Sequence, residues 1–350
     1  MGPKSKKIIV GLIFGGKSPE HEVSIMSAKG IIDNIDRKKF AVVEIGIDKH
    51  GNFWTAENFL KQISQGVVDA VTVEQVGAKQ FDFFVDGKNV DVFFPILHGA
   101  GGEDGEIQGL IRSVNKKFVG ADILASAVCL DKGIFKSLLR AKNIPQTKFE
   151  ILDFNKMSAE VINEQLSNVK NAFCFPIFVK PCNLGSSVGI VKVKDARQLG
   201  AAVEHARTFD NRIIIEESIE GAREIEVSVL GNKYDDTRVS LPGEIIPGAE
   251  FYDYDDKYKS DKSKTVAPAD LSEEVILRIQ KLARETYDLV CCHGFARVDF
   301  LVDPQGNIFL NEINTIPGFT QISMYPKMWE ASGLKYQNLI TKLIELALSR

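Results

Sequence analysis

Four polar residues stand inside two apolar runs late in the chain: Arg297 and Asp299 in FARVDFLV, Glu312 and Asn314 in IFLNEIN. Asp, Glu and Asn offer hard oxygen donors, which suit Mg²⁺, and an arginine beside them suits a further anion. Strand side chains alternate faces. Arg297 and Asp299 therefore share one face, while Ala296, Val298, Phe300 and Val302 form a wholly apolar other face. On the second run Leu310, Glu312 and Asn314 share a face. The intervening DPQGN is a turn, because Pro presets one φ and Gly tolerates positive φ. A hairpin that keeps its parity brings all four polar residues to one side, and a bulge at the turn would change that. The competing reading is a surface hairpin with an ordinary ion pair. Against it, acids inside apolar strands are rarely buried unless paired or metal-bound.

Cations and glycine loops supply a second kind of chemistry. Lys180 ends the apolar run PIFVKP and is followed by NLGSSVGIVKV, a strand, a glycine–serine loop and another strand. Such a loop surrounds phosphate oxygens with backbone N–H groups and hydroxyls, although it lacks the P-loop spacing. A plain hairpin turn is the alternative. Lys132 follows Asp131 at a helix start. His98 closes the run DVFFPIL and opens HGAGGEDGE; a lone histidine at a strand end is most often a core-edge residue. Glu22 falls in the first turn of a helix after IIVGLIF and a glycine turn. It either complements the helix dipole or meets a substrate ammonium group.

These residues need elements to position them. IIVGLIF (Ile8–Phe14), FAVVEIGID (Phe40–Asp48) and DVFFPIL (Asp91–Leu97) read as buried parallel strands alternating with helices. Residues 1–121 are thus expected to form a parallel α/β domain, with a polar loop and weak helices over 50–80. Ligand-facing loops follow the C-terminal strand ends. Beyond it, REIEVSVL alternates as a strand, and Ser272–Val290 reads as an amphipathic helix with an N-terminal cap. The stretch GAEFYDYDDKYKSDKSKTVAP, 248–268, has no apolar periodicity and reads as a lid or binding loop. The expected fold class is α/β, turning α+β in the C-terminal two thirds.

With 350 residues the chain is long enough for two or three domains. A net charge of −4 and the absence of a long basic block argue against a nucleic-acid surface. No apolar run approaches the ~18 residues of a membrane span. The five cysteines match no zinc spacing and read as reduced thiols of a cytoplasmic protein.

The ordered motifs HEVS, LHGAGGEDGEIQG, LDK, FVKP with GSSVGIVKV, EESIEGAREIEVSV, EFYDYDDKYKSDKSK, ARVDF and NEINTIPGFT resemble the D-alanine–D-alanine ligases of the ATP-grasp superfamily, from Gly11 to Ser323. Glu217 and Ser218 depart from the bulkier or basic residues of some relatives in the nucleotide hinge. The resemblance implies an ATP-grasp fold preceded by a parallel-sheet domain, with subdomains at 122–215 and 216–350. It implies ATP-driven activation of one D-alanine as an acyl phosphate, then attack by the amine of a second, for peptidoglycan precursor synthesis.

Roles carry over from the resemblance residue by residue. Lys132, Lys180 and Lys257 would meet the ATP phosphates, and Ser187 would hold the transferring group. Glu216 and the backbone at Ile219 would read adenine, and Glu224 the ribose. Asp299, Glu312 and Asn314 would ligate two Mg²⁺ ions, with Mn²⁺ as substitute and a monovalent cation as a further candidate. Glu22 would pair with the ammonium of the first D-alanine, joined by Ser186 and Tyr258, with His98 nearby. Arg297 and the Gly318 N–H would form the oxyanion site. Ser323, with Arg297, would bind the second carboxylate. Tyr258 favours an amino-acid nucleophile over D-lactate. The resemblance also implies a homodimer, and leaves D-serine or D-lactate ligation, or another ATP-grasp ligase, as alternatives.

Overall fold

The computed structural model describes residues 6–64, 77–185, 187–232, 236–247 and 263–350. Ser186, Lys257 and Tyr258 lie outside the described residues, as does most of the expected loop at 248–268.

The first run of elements is β1 (Ile8–Gly15), α1 (His21–Asn34), β2 (Phe40–Ile47), β3 (Phe53–Thr55), α2 (Phe59–Ser64), β4 (Lys79–Gln80), β5 (Val92–Pro95), α3 (Glu106–Ser113) and β6 (Lys117–Phe118). They build a six-stranded sheet in the order β4-β3-β2-β1-β5-β6. β1 is parallel to β2 and β5, as its unbroken apolar run requires of a central strand. Gly11 makes this packing possible, because a Cβ there would stand 2.7 Å from the Phe93 ring. β3 and β4 add antiparallel to the β2 edge. The sequence reading of 50–80 as loop and weak helix missed them, since strands this short show no periodicity.

Next come α4 (Ile123–Leu130), α5 (Lys132–Ala141), β7 (Phe149–Asp153), α6 (Ala159–Ala172), β8 (Ile177–Pro181), β9 (Val191–Val193), α7 (Leu199–Arg207) and β10 (Arg212–Glu217). Their antiparallel sheet runs β7-β10-β8-β9. The division expected between 215 and 216 falls inside β10, which pairs along its length with β8.

The last run is β11 (Arg223–Gly231), β12 (Arg238–Val239), β13 (Gly243–Ile246), β14 (Lys264–Val266), α8 (Glu273–Leu289), β15 (Gly294–Val302), β16 (Ile308–Asn314), α9 (Met324–Ala331) and α10 (Tyr336–Ser349). Its sheet is antiparallel, ordered β14-β13-β11-β15-β16, with β12 beside β11. α8 starts where Ser272 caps it by accepting from the Val275 N–H.

α10 does not stay with this third sheet. Leu339, Leu343 and Ile344 share one apolar core with Val10, Leu12 and Phe94 of the first sheet. Phe295, at the start of β15, joins the same core, with its ring 6.4 Å from that of Phe94. The hairpin that carries Arg297 and Asp299 is therefore anchored to the parallel sheet by apolar packing.

Candidate active site

The hairpin does present its four polar residues on one face, but not by simple parity. Val302 pairs with Ile308, Leu301 with Phe309 and Phe300 with Leu310; the register then shifts, and Asp299 pairs with Glu312 and Arg297 with Asn314. Asn311 is the extra residue. Were Asn311 paired in the ladder, Glu312 would lie opposite Val298, on the apolar face. The bulge sits within the strands, not at the turn where the sequence reading had allowed for one.

β11 completes this face from the other side, with Ser228 opposite Arg297 and Glu226 opposite Asp299. Arg297 donates from Nε and Nη2 to both oxygens of Asp299, at 2.7 Å each, and its Nε lies 3.2 Å from Glu226 Oε1. Burial would push the guanidinium pKa down, but Asp299, Glu226 and Glu312 hold it well above the ordinary arginine value. Glu226 was not singled out from the sequence, although it stands in the alternating strand two residues after Glu224.

A cavity of about 1050 Å³ opens over this face. Of the residues named from the sequence, His98, Lys132, Lys180, Ser187, Glu216, Ile219, Glu224, Arg297, Asp299, Glu312, Asn314, Gly318 and Ser323 all line it. Lys132 donates to the Leu184 carbonyl at 2.6 Å, and Lys180 to Glu216 Oε2 at 2.5 Å. Both ammonium groups are thus carried at the cavity wall beside the glycine–serine loop. Gly318 packs closely on Ser323: a Cβ on Gly318 would come within 3.0 Å of Ser323 Oγ. That hydroxyl accepts from the Thr320 N–H, and Ser323 precedes the first turn of α9.

Glu22 is not in this set. Its side chain is 61% exposed and pairs with Lys49 at 2.8 Å, outside the cavity lining. Glu20, two residues earlier, lines the cavity and is only 9% exposed. Helix geometry gives the reason. Positions 20, 24, 27 and 31 fall on one stripe at 3.6 residues per turn, and Ser24, Ser27 and Ile31 are all fully buried. Position 22 lies about 200° around from position 20 and faces outward. The structure thus brings Glu20, not the expected Glu22, to the cavity.

Glu20 belongs to a buried cluster with His98 and Glu103. His98 Nδ1 lies 2.9 Å from the Ile316 carbonyl, Nε2 3.1 Å from Ser27 Oγ, and Glu103 Oε1 3.9 Å from Nδ1. Burial would lower the imidazole pKa, but Glu103 and Glu20 turn the shift upward. Glu103 is itself raised, by burial first and by Glu20, against the pull of His98. The first sheet's loops and the loop after β16 thus meet through His98, at the end of the cavity nearest Glu20.

At the other end, Glu216 is held by two lysines. Lys136 Nζ lies 2.6 Å from Oε1, and Lys180 Nζ holds Oε2. Burial would raise this carboxyl, but the two ammonium groups keep it far below the ordinary carboxylate range.

The donors fit a hard divalent cation in type: Asp299, Glu312 and Asn314 present only oxygen ligands from one face. Arg297 engages each Asp299 oxygen once, and each oxygen keeps a further lone pair for a cation. Among the described residues no group of three or more His, Cys, Asp or Glu side chains is already gathered for a metal.

The chain is similar to proteins of one family along nearly its whole length. The family model for the D-ala D-ala ligase N-terminus matches residues 9–121, and that for the D-ala D-ala ligase C-terminus matches 138–345. D-alanine–D-alanine ligase A of Escherichia coli K12 is 45% identical over 99% of this chain and 97% of its own. D-alanine–D-alanine ligase of Halothermothrix orenii is 43% identical over 98% of each. The solved D-alanine–D-alanine ligase of Coxiella burnetii superposes with a TM-score of 0.83 at 37% identity, over 99% of this chain and 95% of that one. VanG D-Ala:D-Ser ligase of Enterococcus faecalis gives 0.83 at 34% identity, over 98% and 100%. With both family models matched in order and relatives alike over nearly its whole length, the chain belongs to the D-alanine–D-alanine ligase family.

Proposed function

We infer that this chain joins two D-alanine molecules in an ATP-dependent reaction, through an acyl phosphate, to supply D-alanyl-D-alanine for peptidoglycan precursors. The observation that carries the reading is the single cavity in which the Arg297–Asp299 face, the Lys132 and Lys180 ammonium groups and Glu20 all meet. A free carboxylate is a poor electrophile, and phosphorylation turns it into a good one by supplying phosphate as the leaving group. Phosphoryl transfer depends chiefly on positioning and charge neutralisation.

Each end of the cavity has its own task. Lys132 and Lys180 neutralise the nucleotide phosphates, with Ser187 on the transferring group and Lys257 as a further contact; Ser186 and Tyr258 belong with the glutamate at the first D-alanine. Glu216 and the Ile219 backbone take the base, and Glu224 the ribose. Asp299, Glu312 and Asn314 would hold Mg²⁺, with Mn²⁺ as a substitute; a pair of such ions would neutralise phosphate charge. Glu20 holds the ammonium of the first D-alanine, with His98 beside it. Arg297 and the Gly318 N–H stabilise the tetrahedral oxyanion. Ser323, at the head of α9, binds the second carboxylate, where the helix N-terminus favours an anion. A monovalent cation as an activator, a homodimer and cytoplasmic location complete the proposal; among the described residues no helix is long and apolar enough to cross a membrane. We propose functional units at 1–121, 122–215 and 216–350, although β10 crosses the second of these boundaries.

D-serine is a second reading for the second substrate, because the similar VanG structure is described as a D-Ala:D-Ser ligase. Phosphate release from ATP decides the matter. It should require D-alanine, and should not be supported by L-alanine. Dipeptide analysis with D-alanine alone, then with D-serine or D-lactate added, identifies the nucleophile. Phosphate release independent of D-alanine would sink the reading.

A further inference from the structure

α5 buries an apolar stripe of Gly133, Phe135, Lys136 and Leu139. Lys136 is the anomaly in it, a lysine only 2% exposed. Its ammonium group donates to Thr147 Oγ1 at 2.8 Å and lies 2.6 Å from Glu216 Oε1. It does not line the cavity, whereas Thr147, Lys180 and Glu216 do. The Glu216 carboxylate is therefore gripped from two sides: Lys136 holds one oxygen from behind the wall, and Lys180 holds the other from the cavity side.

The two lysines differ in what they can do. Lys180 is 14% exposed at the cavity wall and is free to trade its carboxylate partner for a phosphate. Lys136 is enclosed and has no such alternative. Once Lys180 turns to phosphate, Glu216 would be a buried carboxylate with an unpaired charge, which is strongly unfavourable unless another cation remains. The oxygen that Lys180 releases then faces the cavity.

We propose that Lys136 is a positioning residue for nucleotide recognition: from behind the wall it pins one oxygen of Glu216, so that the other stays aimed at the exocyclic amine of the bound purine. This rests on the reading of Glu216 as the base contact. Lys136 touches no ligand and acts only through Glu216. The competing account is a structural ion pair that ties α5 to β10 and has no bearing on which base is bound.

The test uses the whole enzyme with two nucleotides, ATP and purine riboside 5′-triphosphate, which lacks the amine. Three variants are compared with wild type: Lys136→Met, Glu216→Gln and the double variant. A hydrogen bond to a charged group is worth ~1.5–3 kcal/mol, so Lys136→Met should raise KM for ATP about tenfold or more. KM for the amine-free nucleotide and for D-alanine should change less than about twofold, since neither uses that bond. The double variant should resemble Glu216→Gln, because both changes disable one contact. If Glu216→Gln erases the preference for ATP and Lys136→Met keeps it, the positioning role is overturned while the base contact stands. If Glu216→Gln also keeps the preference, the base contact itself fails and the proposal falls with it. Should Lys136→Met not fold, Thr147→Val removes the lysine's other partner and should shift the preference the same way by a smaller factor; an unshifted preference there overturns the proposal.

Discussion

Glu312 stands directly across from Asp299 because Asn311 is left out of the ladder between β15 and β16. One unpaired residue therefore decides whether the acids share a face with Arg297 or are split between the ligand side and the core. A bulge of this kind re-aims every side chain beyond it.

Deleting Asn311 should restore unbroken pairing and leave Glu312 opposite Asp299, because Glu312 then follows Leu310 directly. Ligase turnover should then stay within about tenfold, because the acids and Arg297 keep their common face. Replacing Asn311 with Ala keeps the residue count and should retain the bulge. Steady-state turnover of the two variants side by side makes the check; a Δ311 protein more than about a thousandfold slower would show that the bend at the bulge, not the pairing alone, organises the face.

Glu20 and Glu22 should separate cleanly. Glu20→Gln should raise KM for D-alanine at the first subsite by about tenfold or more, because a charge-assisted contact is lost. Glu22→Gln removes an exposed pair with Lys49 and should leave kinetics within about twofold. Initial rates against D-alanine at saturating ATP measure both.

Arg297→Ala should abolish dipeptide formation, while ADP binding by calorimetry weakens only modestly. Loss of one oxyanion donor costs ~10²–10³ in rate, and Arg297 is also proposed at the second carboxylate. Unaltered turnover would remove it from both roles.

Acid should weaken the fold partly through Glu216. Its folded pKa is depressed, so its stabilising contribution is present in full above the unfolded carboxylate value of about 4.3. That contribution is lost as pH falls from there toward the much lower folded value. The stability gap between wild type and Glu216→Gln, from urea unfolding at stepped pH, should narrow below about pH 4. A gap that widens in acid would contradict the pairing.

Thiol chemistry should discriminate among the cysteines. Cys174 is exposed, whereas Cys129, Cys182 and Cys292 are buried. Burial pushes Cys182 and Cys292 up to about 12, with Asp131 adding to the effect at Cys182. Alkylation of native protein at pH 8, mapped by peptide mass, should mark Cys174 well before these buried thiols.

Much of the site was legible because it obeys local rules. Strand alternation and apolar runs pointed to Arg297, Asp299, Glu312 and Asn314, and the apolar strand ahead of Lys180 marked it as unusual. The misplacement of Glu22 was avoidable: the 3.6-residue stripe through Ser24, Ser27 and Ile31 already pointed back to position 20. Lys136 also left a trace, as a lysine in the stripe with Phe135 and Leu139. Other features had no local signal. The bulge at Asn311 depends on how β16 pairs with β15, which alternation within either strand alone does not show. β3 and β4 exist because the β2 edge is there to receive them.

The first sheet completes its core with α10, drawn from the far end of the chain. Lys117 donates to the Leu348 carbonyl, and Arg350 to those of Phe118 and Gly120, so the two regions are also stitched by hydrogen bonds. During synthesis, the strands bearing Val10 and Phe94 leave the ribosome long before Leu339 and Leu343 exist. The nascent sheet must wait with part of its apolar surface uncovered, exposed to chaperones and to its own neighbours on a polysome. A premature stop just ahead of Tyr336 would spare every residue placed in the cavity and still leave a chain that cannot close around them.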